Sequence, residues 1–238
     1  MFKQDPMFRQ SGVGPGVSPQ SRRSFLKGSA ALTVAGGAGA LLSTPSVVRA
    51  NHGIRQLYGE WRQIRRHENN HVEFIAGVLG SEARPKPTFQ GLEQPDYATF
   101  VNVSQALEGT GVGAYLGAAP FIQSPDILAG AASIAQIEAS HFAFTNLALF
   151  NPITGPAPDS TNEEVMRLGP SEYFGLTPEE VGEAAGPFIA NLNGGGPIGY
   201  SETRSSANDI DILNFALALE FLEAEFYNIN VRKFFEHG

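Results

Sequence analysis

Two glutamates each stand three residues ahead of a histidine: Glu68 before His71 in RRHENNHVEFI, and Glu138 before His141 in AASIAQIEASHFAF. On a helix that spacing puts carboxylate and imidazole on one face. Ile134, Ile137, Phe142 and Phe144 surround the second pair. Polar groups in such surroundings are costly unless they bind something or each other. Two further runs carry one glutamate each, Glu108 in SQALEGTGVGAYLGAA and Glu220 in LNFALALEFLEAEFYN. Each has a tyrosine seven residues on, Tyr115 and Tyr227. Two Glu-x-x-His helices and two single-Glu helices are what a four-helix bundle needs to hold two metal ions.

The remaining acids and histidines are rivals or neighbours. Glu223 shares a face with Glu220 and is the alternative ligand, or an acceptor behind the ligands; Glu225 points elsewhere. Glu73 reads as a surface acid, His67 as surface or support, and His52 and His237 as inert termini. Tyr115 and Tyr227 are core phenols, or functional groups that bond a carboxylate or carry an electron. The chain has no cysteine, so disulfides, thiolate metal sites and cysteine nucleophiles are excluded. Carboxylate and imidazole suit iron, manganese or zinc.

Four long helices must position these groups. Apolar residues recur at helical period in Ile54–Leu79, at Leu57, Trp61, Ile64, Val72, Ile75 and Leu79. Gly80, Pro85 and Pro87 end that run, and Ser81–Tyr97 is a loop. The second helix spans about Tyr97–Ala119 behind an Asp96 cap. Its glycines at 109, 111, 113 and 117 weaken an isolated helix by roughly 1 kcal/mol each relative to Ala, which predicts a tight crossing or a local irregularity. The third is Asp126–Phe150. One or two short helices fall within Ser160–Ala190, with Thr177-Pro178-Glu179-Glu180 as a helix start. Asn191–Tyr200 reads as a flexible connector. The last helix is Ala207–Phe235, capped by Asn208 or Asp209.

Residues 1–50 stand apart from this core. Met1–Gln20 is rich in Gly, Pro and Gln and reads as disordered. Ser21-Arg22-Arg23-Ser24-Phe25-Leu26-Lys27 precedes an apolar run of small residues, Gly28 to Leu42, and then Val48-Arg49-Ala50. That is the form of a twin-arginine export signal with its cleavage site. The domain is then 51–238, with an insert at 151–206 before the last helix. The chain carries −8 overall; six of its 16 Lys and Arg but one of its 24 acids precede Asn51, leaving 10 bases against 23 acids, or −13. Such a surface argues against nucleic acid and anionic membranes as partners. The apolar run is too short and interrupted for stable membrane insertion once the signal is cleaved.

These residues resemble the ferritin-like superfamily, and most of all its exported, desiccation-related branch. LNFALALEFLEAEFYN is similar to that family's first bundle helix, HENNHVEFI to its second, ALEGTGVGAYLGAA to its third and IAQIEASHFAF to its fourth. The family's first helix comes last here, so the order resembles a circular permutation, which surface termini tolerate; the last helix could instead complete a partner's bundle by domain swapping. The resemblance implies an all-α, ferritin-like four-helix bundle with a di-metal carboxylate centre. It implies two iron or manganese ions, with zinc an alternative, on Glu68, His71, Glu108, Glu138, His141 and Glu220. Glu68 and Glu138 would bridge. The implied activity is ferroxidase-, peroxidase- or catalase-like, with dioxygen, peroxide or ferrous iron as substrate, in stress protection outside the cytoplasm. The alternative is a non-catalytic bundle of the cell envelope that the metal merely stabilises.

Overall fold

The computed structural model describes residues 57–151, 153 and 175–236. The tail, the signal, His52, His237, the start expected at Ile54 and most of the first half of the insert lie outside them. Among the described residues are five α-helices: α1 (Tyr58–Leu79), α2 (Tyr97–Ala118), α3 (Pro125–Ala148), α4 (Pro178–Ala185) and α5 (Ser206–Val231). A π-helical turn, Arg232–Glu236, continues α5. No described helix is long and apolar enough to cross a membrane.

Local chemistry explains most of the boundaries. Asp96 caps α2 by accepting from Thr99 N at 2.8 Å, and Thr177 and Glu180 form a reciprocal capping box on α4. Ser124 caps α3, whose first residue is Pro125, one before the expected Asp126. Ser205 caps α5, not Asn208 or Asp209. Those two side chains are committed elsewhere: Asp209 accepts from Gln123 N at 2.7 Å and Ser124 N at 2.9 Å, and Asn208 Oδ1 accepts from Ser201 N at 2.8 Å. Asp209 thereby fastens the α2–α3 turn to the start of α5. The loop after α1 and the connector after α4 are also not wholly irregular. β1 (Thr88–Phe89) pairs antiparallel with β2 (Ile189–Asn191), Phe89 opposite Ile189.

The short turn makes α2 and α3 one antiparallel hairpin. α1 and α5 form the other, although they are the first and last long helices. The Tyr58 ring stacks on Phe235 at 5.4 Å and Arg65 pairs with Glu236 at 2.9 Å at one end. Just past the other end, Arg84 N donates to Asn214 Oδ1 at 2.7 Å. The fourth place in the bundle is thus filled by the chain's own last helix. That helix, of 26 residues, spans about 39 Å, and the crossover 80–96 travels back along it, held by Lys86 to Glu225 and by Gln94 N to Asn230 Oδ1 at 2.9 Å.

An aromatic plug closes one end of the bundle. Trp61 is fully buried, 4.6 Å from the Phe100 ring and 4.9 Å from Phe144, and its indole N–H donates to Tyr97 Oη at 3.2 Å. Removing it leaves a large void and an orphaned hydroxyl. Trp61→Ala is expected to lower stability by about 3–5 kcal/mol, read as a shift of the urea midpoint at unchanged slope. Toward the other end the core is aliphatic, built on Ile75, Leu79, Ile134, Leu213 and Leu217.

The glycines of α2 have separate causes. Gly109 lies under the Phe142 ring of α3, where an added Cβ would sit 2.9 Å from Cε2. A Cβ on Gly117 would lie 1.9 Å from the Leu176 carbonyl oxygen, and Leu176 N donates to Gly113 O at 2.8 Å. The crossing is therefore tight against α3, and against the extended segment entering α4 as well.

Candidate metal centre

Between the aromatic plug and the aliphatic end, four helices turn six polar side chains inward. Glu68 and His71 come from α1, Glu108 from α2, Glu138 and His141 from α3, and Glu220 from α5. All six are buried, with Glu68, Glu108 and Glu138 at 0 % exposure. They form two groups: Glu68, Glu108, Glu138 and His141, and Glu68, His71, Glu138 and Glu220. Within each group the ligand-type atoms lie within 4.8 Å of one another. Glu68 and Glu138 belong to both.

The contacts are reciprocal. His141 Nδ1 lies 2.8 Å from Glu68 Oε1, and His71 Nδ1 lies 3.2 Å from Glu138 Oε1. Each Glu-x-x-His of one helix thus faces the other in the opposite chain direction. Glu68 turns its second oxygen to His71, at 3.1 Å. His71 Nδ1 is also 3.1 Å from Glu220 Oε2, and His141 Nδ1 is 3.3 Å from Glu108 Oε2. The tyrosines repeat this logic between α2 and α5. Tyr115 donates to Glu220 Oε1 at 2.6 Å, and Tyr227 makes a very short bond to Glu108 Oε1. Each Glu-to-Tyr helix therefore holds the other's carboxylate, because the two run antiparallel.

Crowded carboxylates in a dry core cannot all stay ionised. Burial pushes Glu138 well above the ordinary carboxylate range, and the charges of Glu68, Glu223, Glu108 and Glu220 push further. Burial raises Glu220 to about 7 despite bonds from His71 and Tyr115. Glu68 goes the other way: burial would raise it, but the His141 and His71 hydrogen bonds hold it at about 2. Burial opposes protonation of His71 and His141, yet the carboxylates around both raise them. Burial and the bonded carboxylates also raise both tyrosines well above their usual value.

Three neighbours complete the arrangement. Glu223 is buried but belongs to neither group; burial, then Glu108, Glu68 and Glu220, raise its pKa well above normal. Gly111 makes room for Glu138: a Cβ there would stand 2.7 Å from Glu138 Oε2, with Glu223 Oε1 at an ordinary 3.5 Å. His67 does not simply point away from this face. Its Nδ1 is 2.9 Å from His141 Nε2. With His141 Nδ1 turned to the carboxylates, its Nε2–H donates to a neutral His67, whose protonation burial and His141 disfavour. Sequence spacing hid this contact, because residue 67 lies about 100° around the helix from residue 68. Glu73 is exposed and Glu225 pairs with Lys86 at the surface, so neither enters the site.

The donor set fits a pair of divalent ions. Ligands 2.0–2.2 Å from one ion lie about 3 Å apart in an octahedral shell, the spacing observed between His and Glu atoms here. Glu68 Oε1, Glu108 Oε2, both Glu138 oxygens and His141 Nδ1 are buried and make no well-aligned hydrogen bond; all but Glu138 Oε2 have only the ion-pair contacts at 2.8–3.3 Å given above. So many buried ligand-type atoms without aligned partners are rare in a settled core. Four carboxylates balance two divalent charges, and neutral imidazoles fill the shell. A metal-bound histidine depends on what holds its other nitrogen. His67→Phe should therefore keep the ion count but weaken affinity about 10–100-fold, as measured by competition with a chelator.

Comparison with known proteins adds two findings. A model described as a ferritin-like domain matches residues 38–151 and 208–237. A model of the twin-arginine translocation signal matches residues 19–42. Comparisons with curated proteins and with solved structures return no match. The family match skips 152–207, which includes α4 and β2, and resumes on α5.

Proposed function

The chain belongs to the ferritin-like domain family and carries a twin-arginine export signal, and on that premise we propose that it is an exported di-metal redox protein that acts on dioxygen, peroxide or ferrous iron. The observation that carries this reading is the two overlapping buried groups of carboxylates and histidine, in which five ligand-type atoms make no well-aligned hydrogen bond. Glu68 and Glu138, members of both groups, would hold both ions, and Glu108 and Glu220 one each. The carboxylate-rich set favours iron or manganese over zinc. When bound, such a pair supplies electrons to, or takes them from, an oxygen substrate.

The chain's own groups do the rest. Tyr115 and Tyr227 fix the rotamers of the terminal carboxylates by hydrogen bonds. Glu223, pushed toward its neutral form, holds a proton beside the cluster, ready for a reduced oxygen atom. His67 orients His141. The plug around Trp61 excludes water from one end. Twin-arginine export carries folded proteins, so the metal can be loaded before export.

A second reading has support in the full burial of three carboxylates. Neutralising them with metal would stabilise the bundle strongly without turnover, as suits a protective protein of the envelope under drying or oxidative stress. The two readings separate by experiment. Protein recovered from its export route should contain about two ions per chain. Loaded protein should then decompose hydrogen peroxide, or oxidise ferrous iron in air, faster than equal free metal. Heat stabilisation without turnover selects the protective reading. No metal, even after reconstitution with ferrous iron and manganese, removes both.

A further inference from the structure

A hollow of about 230 Å³ lies on the aliphatic side of the carboxylate cluster. All four long helices line it, among them Phe74 and Val78 of α1, Tyr115 of α2, Ala131 and Ile134 of α3 and Ala216 of α5. Of all its lining side chains, only Tyr115 and Asp126 carry a polar atom. Phe74 and Val78 are 50 % and 49 % exposed, so the hollow opens to solvent along the α1–α3 seam. Beside this opening the Phe74 ring lies across Gly130, 3.1 Å from where a Cβ would be. At the inner side stands Tyr115, whose hydroxyl holds Glu220. Tyr115 therefore touches both an apolar chamber and a carboxylate of the candidate metal centre.

We propose that this chamber is a binding site for a neutral apolar small molecule, a substituted aromatic ring or a medium-length alkyl chain. Unfilled apolar space of this size weakens a core, and water gains little where two groups alone can bond it. An apolar cavity of roughly 150 Å³ already holds benzene, so this one takes something larger. Charge narrows the class further. Asp126 lines the chamber and no lining side chain carries a positive charge, so an anionic headgroup is disfavoured. Placing the molecule's inner end at the metal centre rests on the function proposed above; binding to the chamber does not.

The test is calorimetric titration of the whole protein, metal-free and metal-loaded, with n-butylbenzene, 1-octanol and octanoate. Saturable 1:1 binding of the first two in both forms is expected, with octanoate at least tenfold weaker. Ala216→Leu and, as a second filler in case the first misfolds, Ala131→Leu should each weaken binding at least tenfold with the ion count unchanged. Absence of butylbenzene and octanol binding overturns the proposal, as does unaltered affinity in a folded filled variant or octanoate binding as well as octanol. A protein that binds these probes but no metal loses the function proposed above and keeps the chamber; one that binds metal but no probe does the reverse.

Discussion

Glu138→Gln is expected to abolish binding of both ions, whereas Glu108→Gln or Glu220→Gln removes one. The difference follows from membership: Glu138 and Glu68 belong to both groups, Glu108 and Glu220 to one each. An amide keeps the carboxylate's shape but neither its charge nor its second acceptor, so it cannot bridge. Glu138→Gln is also the cleanest variant. Burial and four neighbouring carboxylates already favour the neutral acid at that position, so the amide imitates the metal-free state and the apo bundle should keep its stability. Glu68→Gln should lose both ions as well, but at a cost. Glu68 is ionised and bonded to both histidines, and removing one partner of a buried pair costs about 3–5 kcal/mol. Elemental analysis of the four variants, beside urea melts of their metal-free forms, gives the pattern none, none, one, one. Two ions retained by Glu138→Gln would dissolve the bridging assignment, and loss of both from Glu108→Gln would show that the two positions are not separable.

Much of this centre is legible in the sequence because its cost is legible. Acids inside apolar helical runs need a reason, and Glu138 in IAQIEASHFAF and Glu108 in LEGTGVGAYL declare themselves by their neighbours. Helix α1 is also easy to read, since Arg62 and Arg66 mark its wet face. What stayed hidden depends on how helices face one another. The seven-residue Glu-to-Tyr spacing is plain within α2 and within α5, but spacing cannot say that Tyr115 bonds Glu220 and Tyr227 bonds Glu108. That exchange needs the antiparallel setting of two helices separated by the insert. His67 is hidden for the same reason, and Gly111 because its role is to be absent from Glu138's space. β1 and β2 are two and three residues long and far apart in the chain, too short to leave an alternation. Asn208 and Asp209 have the right chemistry to cap α5 but serve the α2–α3 turn and Ser201. Ser205, which does cap the helix, stands three residues before Asn208.

Metal-free protein is expected to lose stability as pH rises from about 5 to about 8, the reverse of the metal-loaded form. A glutamate whose pKa is higher in the folded state binds more protons folded than unfolded, so its contribution falls as pH climbs between the two values. Glu220 does this between 4.5 and about 7, on the order of 3 kcal/mol. Glu138, Glu108 and Glu223 shift the same way, with burial as the largest cause. His71 and His141 are raised too; their contribution is whole below 6.5 and is lost as pH passes their folded values. Glu68 alone opposes this, contributing above 4.5 and losing its contribution as pH falls toward about 2, outside the window. Bound metal reverses the slope, because it takes the deprotonated ligands and displaces their protons. The gap between the loaded and metal-free urea midpoints should therefore widen steadily across this range, and loading at pH 6 in weak buffer should release protons to an indicator dye. Parallel stability curves, or loading without proton release, would mean that the metal is not held by these carboxylates and imidazoles, because no ion can occupy this cluster without evicting the protons that hold it together when empty.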